Sequence, residues 1–561
     1  MTSPHRRTRR TIRPALAACV ALACWTALLV AAPAGVEPAA SATTKPAARA
    51  KAPLTIDTTT GTWRGKASGS TRQFSGIRYA KPPTGKHRWT LPRPAGDSTK
   101  VRSARRSGAS CPQSADVALS TATDTSEDCL FLNVTTPRRA TGKPWPVMVW
   151  WHGGGFTSGA GSQYDARRLA EQGDVAVVTV NYRLGMLGYL GLPGLTGSGN
   201  FGLADQLAAL KWANDNAAAF GGDPDNITLF GESAGATSAC AALTSPDIED
   251  LVDKAILSSG ACRLAWPKGT LFPGLPASRS LISAKASTTL GTGVAAAIGC
   301  TARNPLPCLR DKPVDELVAQ SVAFSNPLAY GTDLLPRDPA KAIERGKVAD
   351  VPIISGGNQN EHRSFIGGLI LTQPDAITDA TYRTLIDTSF GNNADAVAAR
   401  YPLDGYDSAP IAWSTLVTDV AWACPTAHGA RDLAAAHASR QRSSPKVYSY
   451  EFTSTPAIDV SMVAASGLPQ DGAHATDLPF LFDLGGTNLL KTKAQRKLAH
   501  TMVDLWTTFA HTGTPTAARA PRWRPITATK SPTLQLTSPK TKYINHARQH
   551  HCGFWESLNL P

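Results

Sequence analysis

Residues 227–235, Ile-Thr-Leu-Phe-Gly-Glu-Ser-Ala-Gly, run a short apolar, β-branched segment straight into G-x-S-x-G and then into an Ala-rich helical pattern. That order constrains the backbone sharply. A serine at a strand-to-helix turn takes strained dihedral angles that push its hydroxyl out of the sheet, and the residues two before and two after it must be small because the chain doubles back on itself. The runs at 147–150 and 175–180 are also continuously apolar and bounded by turns, the pattern of strands buried on both faces. Such strands need helices to cover them. Residues 204–220, opened by Asn200-Phe201-Gly202 and closed by Gly221-Gly222-Asp223-Pro224, supply one, and residues 498–510 another. Strand, helix and strand in alternation predict an α/β fold with a mostly parallel central sheet and helices on both faces. Residues 265–350 are irregular and Pro-rich and read as a helical insertion over the sheet's C-terminal edge.

A second glycine-rich turn, His152-Gly153-Gly154-Gly155-Phe156, directly follows the apolar run that ends at Trp151. In α/β-hydrolases a loop of this kind offers backbone amides to a developing oxyanion, together with the amide of the residue after the nucleophile, here Ala234. A serine hydroxyl is a weak nucleophile and needs a base, which in turn needs an acid to fix its tautomer. In this fold the chain order is nucleophile, acid, base. The histidines after Ser233 are His362, His428, His437, His474, His500, His511, His546, His550 and His551. His474 stands in Gly472-Ala473-His474-Ala475, a loop with small residues on both sides of the imidazole, whereas His437, His500 and His511 lie in helical patterns and read as structural. Glu361 follows the apolar segment 351–355 and the turn Gly356-Gly357-Asn358, a loop at a strand's C-terminal end, where active-site groups of open α/β sheets gather. Asp419, Asp477 and Asp483 are rivals for the acid that spacing does not exclude.

The chain resembles type-B carboxylesterases, the family of cholinesterase-like enzymes and bacterial para-nitrobenzyl esterases. Phe74-Ser75-Gly76-Ile77-Arg78-Tyr79-Ala80-Lys81-Pro82-Pro83 is similar to that family's N-terminal F-x-G-I-P-Y-A-x-P-P, and Glu127-Asp128-Cys129-Leu130-Phe131-Leu132-Asn133-Val134 to its E-D-C-L-x-L-N-V. Phe220-Gly221-Gly222-Asp223-Pro224 leads into the serine turn as it does in the family, and the likeness runs from about Leu54 to Trp555. The resemblance implies an α/β-hydrolase with Ser233 as nucleophile, Glu361 as acid, His474 as base, and Gly154, Gly155 and Ala234 as oxyanion hole. It also implies a second buried polar network containing Glu232 and Ser259. Three positions depart from the family pattern: Arg78 replaces Pro, and His362 and Ala475 replace the Gly expected after Glu361 and His474. The implied activity is hydrolysis of small-molecule carboxylic esters through an acyl-enzyme, with no metal and no organic cofactor. An extracellular lipase acting on longer acylglycerols is the near alternative, and a non-catalytic binding protein on the same scaffold the remote one.

The first 42 residues read as a secretory signal: Arg6, Arg7, Arg9, Arg10 and Arg13 precede an apolar run from Ala15 to Ala32, and Ala40-Ser41-Ala42 offers a cleavage site. The Arg-rich start fits the general secretory route and the twin-arginine route alike. Those arginines, set against Glu37, carry +4 of the formal net charge of +15, which leaves +11 on the mature chain. The modest cluster Arg102, Arg105 and Arg106 reads as a solvated loop, so a nucleic-acid partner is not expected. Residues 43–53 are an Ala/Pro/Lys-rich linker, and 54–561 one catalytic domain, expected as a monomer with no stable membrane anchor. An extracellular destination makes disulfides the default for the eight remaining cysteines. Cys111 with Cys129 matches the family's first disulfide, and Cys300 with Cys308 closes a short loop. The resemblance suggests Cys262 with Cys424, leaving Cys240 and Cys552 unassigned. His550 and His551 offer no second ligand cluster and read as surface residues.

Overall fold

The computed structural model describes residues 52–96, 98–114, 124–139, 142–325, 328–439, 445–455, 457–460, 463–527 and 529–560. The leader expected at 1–42 and the linker up to residue 51 lie outside them.

The apolar segments of the sequence become the middle of an 11-stranded sheet. In chain order its strands are β1 (Lys66–Ser68), β2 (Thr71–Arg78), β3 (Phe131–Pro137), β4 (Trp145–Trp151), β5 (Ala176–Val180), β6 (Gly222–Glu232), β7 (Lys254–Ser258), β8 (Ile353–Asn358), β9 (Val447–Phe452), β10 (Thr533–Leu536) and β11 (Lys542–Ile544). Their spatial order is β11-β10-β9-β8-β7-β6-β4-β5-β3-β2-β1. From β5 to β10 every neighbouring pair is parallel, and the antiparallel pairs lie at the two edges. All residues of β4, β5, β7 and β9 are buried, as strands between two helical layers are. The chain leaves β4, pairs on one side as β5, and returns on the other side as β6. That reversal opens a crevice at the C-terminal ends of β4 and β6, the place where open α/β sheets put their ligands.

Helices α1 (Arg167–Gly173), α2 (Phe201–Asn216), α3 (Ala234–Ala242), α5 (Cys424–Ala438) and α6 (Lys493–Thr512) flank the sheet, α4 (Arg363–Thr372) stands outside it, and the short α7 (His546–Gln549) and α8 (Cys552–Ser557) end the chain. The helix expected at 204–220 starts earlier, at Phe201, and its last residues form a 3-10 turn, Ala217–Phe220. One face of the sheet packs against α2, α3 and α5, and the other against α6, whose Met502, Val503, Trp506 and Phe509 are fully buried. A third apolar cluster, built from residues 366–424 with Trp266 and Trp555, sits apart from the sheet faces.

The insertion read at 265–350 adds Leu281, Ala295, Leu309, Leu317 and Phe324 to the first sheet core, and its Trp266 and Phe272 reach Trp422 and Phe365 of the 363–423 segment. One expectation needs correction. Cys262 does not pair with Cys424. Cys240 on α3 reaches Cys262 just after β7, and Cys424 at the start of α5 reaches Cys552 at the start of α8. The tertiary path places these partners with Cα atoms 5.7 and 5.2 Å apart, within disulfide reach. Cys111–Cys129 and Cys300–Cys308 are bonded as expected.

Candidate active site

Ser233 caps β6 and precedes α3 with φ 55° and ψ −123°, the strained turn that its flanking glycines permit. A Cβ on Gly235 would stand 2.0 Å from the carbonyl oxygen of Trp151, and one on Gly231 2.7 Å from the carbonyl carbon of Gly235. Any side chain at either position would force the elbow open. The turn is held from below by the Ser233 amide, which donates to the Ser258 carbonyl at 2.9 Å.

The glycine loop after β4 runs against this elbow: a Cβ on Gly153 would lie 2.9 Å from Cβ of Ser233. Gly154 and Gly155 have φ of +100° and +59°, values that L side chains disfavour. The loop is anchored by the buried His152, whose ring stacks on Tyr182 with centroids 4.3 Å apart, and by Tyr182 Oη, which donates to the His152 carbonyl. Burial pushes His152 down to about 4, so it packs as a neutral ring. Gln113 exchanges two hydrogen bonds with the backbone of Gly159 and fixes the far end.

His474 lies in the loop after β9, where its Nε2 is 2.9 Å from Ser233 Oγ and its Nδ1 2.6 Å from Glu361 Oε2. Glu361 sits just beyond β8, and its other oxygen accepts from the Asn358 amide at 2.6 Å. The two loops are stitched together: Asn360 N donates to the Gly472 carbonyl, Asn358 Nδ2 to the Ala473 carbonyl, and Ser364 Oγ to the His474 carbonyl. The structure thus brings Ser233, His474 and Glu361 into one line. It does not bring the rival acids there as partners of the imidazole. Asp419 binds His550, Asp483 pairs with Arg168, and Asp477 accepts from Asn358 Nδ2 behind the site.

Three buried carboxyl groups bear on His474. Burial works against a charge on the imidazole, but Glu232 and Glu361 outweigh it and push it up to about 9. Burial pushes Glu232 up to about 8 and Asp477 up to about 6. Glu232 Oε1 stands 3.2 Å from His474 Nε2, so a proton on Glu232 removes a major attraction holding the imidazolium. Ser259 is also buried, with φ 51°, but its hydroxyl makes no hydrogen bond, and Asp477 rather than Ser259 is the further polar group that acts on the imidazole.

The walls come from residues that motif reading does not single out. Phe365 on α4 and Trp422 in the π-helical turn Thr418–Ala423 place their rings 5.2 and 5.0 Å from the His474 ring. His362 stacks on Phe365, accepts from Trp422 Nε1, and is driven down to about 3 by burial, so it joins the wall as a neutral ring. The other departures are accommodated locally. Arg78 pairs bidentately with Asp128 and covers the Phe131 ring, while Ala475 holds a positive φ of 66° where glycine would be unstrained.

His550 departs from expectation. It is not a surface residue but lies buried between Asp419 and Glu451, partners 131 and 99 residues away in sequence. His437 is buried between two backbone carbonyls, as a structural residue would be.

The model of the carboxylesterase family matches residues 52–555. A para-nitrobenzyl esterase from Bacillus subtilis (strain 168) is 34% identical over 499 residues, which span 87% of this chain and 95% of that one. A cocaine esterase from Homo sapiens is 31% identical over 523 residues, 88% of each chain. Among solved structures, that of a thermophilic PNB esterase superposes with a TM-score of 0.72 at 29% identity, covering 89% of this chain and 99% of the other. With the sheet order and the convergence of loops at the β4 and β6 ends, these matches make the chain an α/β-hydrolase and a carboxylic ester hydrolase: it belongs to the carboxylesterase family.

Proposed function

We propose that the chain is an exported serine esterase that cleaves small-molecule carboxylic esters through an acyl-enzyme. The observation that carries this reading is the unbroken line from Ser233 Oγ through His474 to Glu361, with contacts of 2.9 and 2.6 Å. His474 Nε2 accepts the Ser233 proton as Oγ attacks the ester carbonyl carbon, and Glu361 holds Nδ1–H and balances the imidazolium. The amides of Gly154, Gly155 and Ala234 donate to the oxyanion. The carbon–oxygen bond to the alcohol breaks as Nε2 returns the proton to the leaving oxygen. Water then attacks the acyl group, giving its proton to Nε2, and the carboxylic acid departs with Ser233 restored. The rings of Phe365 and Trp422 favour an apolar substrate group beside the imidazole.

Replacing Ser233 with Ala tests the chemistry: hydrolysis of a short-chain nitrophenyl ester should fall by roughly 10⁴–10⁶ in kcat, and labelling by a fluorophosphonate should vanish. Retained hydrolysis would overturn the assignment. Four disulfides support an oxidising destination, and no helix among the described residues is long and apolar enough to cross a membrane. N-terminal sequencing of protein from the culture fluid should begin at Thr43.

A further inference from the structure

Asp419, Glu451 and His550, all buried, and the half-buried His546 form a cluster that the ester chemistry does not use. Asp419 Oδ1 accepts the Nδ1 proton of His550 at 2.6 Å, and this leaves Nε2 facing Glu451 Oε1 at 2.7 Å. A lone-pair nitrogen and a carboxylate oxygen approach that closely only with a positive centre between them, either a proton or a metal ion. The third side chain decides what the cluster can hold. His546 lies one helical turn before His550, with ring centroids 4.5 Å apart and its Nε2 3.7 Å from the same Glu451 oxygen. Its Nδ1 is buried without a hydrogen-bond partner.

We propose that Glu451, His546 and His550 form a binding site for a divalent transition-metal ion of the zinc class. A bridging proton engages two of these side chains and leaves His546 idle, whereas a metal ion engages all three. The donor atoms lie within 4.8 Å of one another, and the edge of a tetrahedral zinc sphere is about 3.4 Å. Small side-chain rotations therefore suffice. Two imidazoles and one carboxylate select zinc, cobalt, nickel or copper over calcium and magnesium.

The surroundings have the form of a metal site's outer layer. Asp419 fixes the tautomer of His550, and Asp419 itself accepts from Tyr401 Oη, which accepts from Trp555 Nε1. Gln535 and Gln549 donate to Glu451 and orient its carboxylate. Asp419 and Glu451 bring two carboxylates to the cluster, negative charge that a divalent ion would offset. Arg431, the cation that acts on His546, is paired with Glu556.

The test is titration of the untagged, chelator-dialysed chain with Co²⁺ and Zn²⁺, read by the visible cobalt spectrum, ion stoichiometry and unfolding temperature. The wild type should take one ion per chain and unfold at a higher temperature when loaded. His546→Ala removes the residue least engaged in hydrogen bonding, so it should keep the fold while affinity falls at least ~100-fold. His428→Ala, on the surface beside Asp432, should change nothing. If His546→Ala fails to fold, Glu451→Gln, which keeps the side chain's size, replaces it with the same expected loss. A wild type that binds no cobalt, or variants at His546 and Glu451 that bind as tightly as the wild type, would overturn the proposal.

Discussion

Glu232 Oε1 stands 3.2 Å from His474 Nε2, the same nitrogen that faces Ser233 Oγ at 2.9 Å. A carboxylate there stabilises the imidazolium, yet in the proposed mechanism His474 must be neutral to accept the serine proton. Glu232→Gln removes that stabilisation at constant size. The imidazole pKa should then fall, and the acid limb of kcat/KM should move to lower pH. A pH profile of ester hydrolysis by both proteins checks the shift; an unmoved limb would mean that Glu232 carries no charge while His474 titrates.

Glu361 and Asp419 each bind the Nδ1 side of a histidine, but different histidines. Glu361→Gln should lower kcat by about 10⁴, the scale of losing a triad acid, with little change in unfolding temperature. Asp419→Asn should do the reverse. It strips one partner from the buried imidazolium of His550, a loss of about 3–5 kcal/mol in stability. Steady-state kinetics with thermal unfolding separates the two, and a collapse of kcat in the Asp419 variant alone would reassign the acid.

Gly154 and Gly155 both have positive φ, but their surroundings differ. A Cβ on Gly154 would meet the Ser158 carbonyl oxygen at 2.2 Å, while one on Gly155 meets nothing nearer than Thr157 Oγ1 at 3.9 Å. Gly154→Ala must move the loop and should cost roughly 10²–10³ in kcat, the scale of losing an oxyanion donor. Gly155→Ala adds only backbone strain of about 1–2 kcal/mol and should retain more turnover. Equal losses in the two variants would show that steric fit in this loop is not what governs turnover.

Cys424–Cys552 spans 128 residues and Cys300–Cys308 only 8. In the chain-entropy account the first contributes about 5 kcal/mol and the second about 2.5 kcal/mol. Paired Ser replacements should therefore lower the unfolding temperature more for the long loop. Calorimetry under non-reducing conditions measures the order.

The turns that carry the proposed catalytic residues are legible in the sequence because their constraints are local. The turn around Ser233 and the glycines after Trp151 follow from what a strand end and its next few residues must do sterically, and the buried strands announce themselves by unbroken apolar runs. Legibility fails where the cause lies far along the chain. Nothing near His550 reveals that Asp419 and Glu451 will enclose it, so a buried imidazolium reads as a surface residue. The partner of Cys262 is equally hidden, because Cys240 and Cys424 are both chemically suitable and only the path of α3 past β7 chooses between them. Phe365 and Trp422 belong to no motif. Their place beside His474 follows from the packing of helices outside the sheet.

The elbow glycines and the ring wall divide the site into parts with unequal freedom to vary. Gly231 and Gly235 have backbone atoms pressed within 2.7 and 2.0 Å of where a side chain would begin, so almost any replacement there is lethal to the turn. Phe365 and Trp422 touch the imidazole only through ring faces and edges, and they hang from helices that carry none of the reacting atoms. A lineage descending from this chain can therefore change its diet without relearning its chemistry.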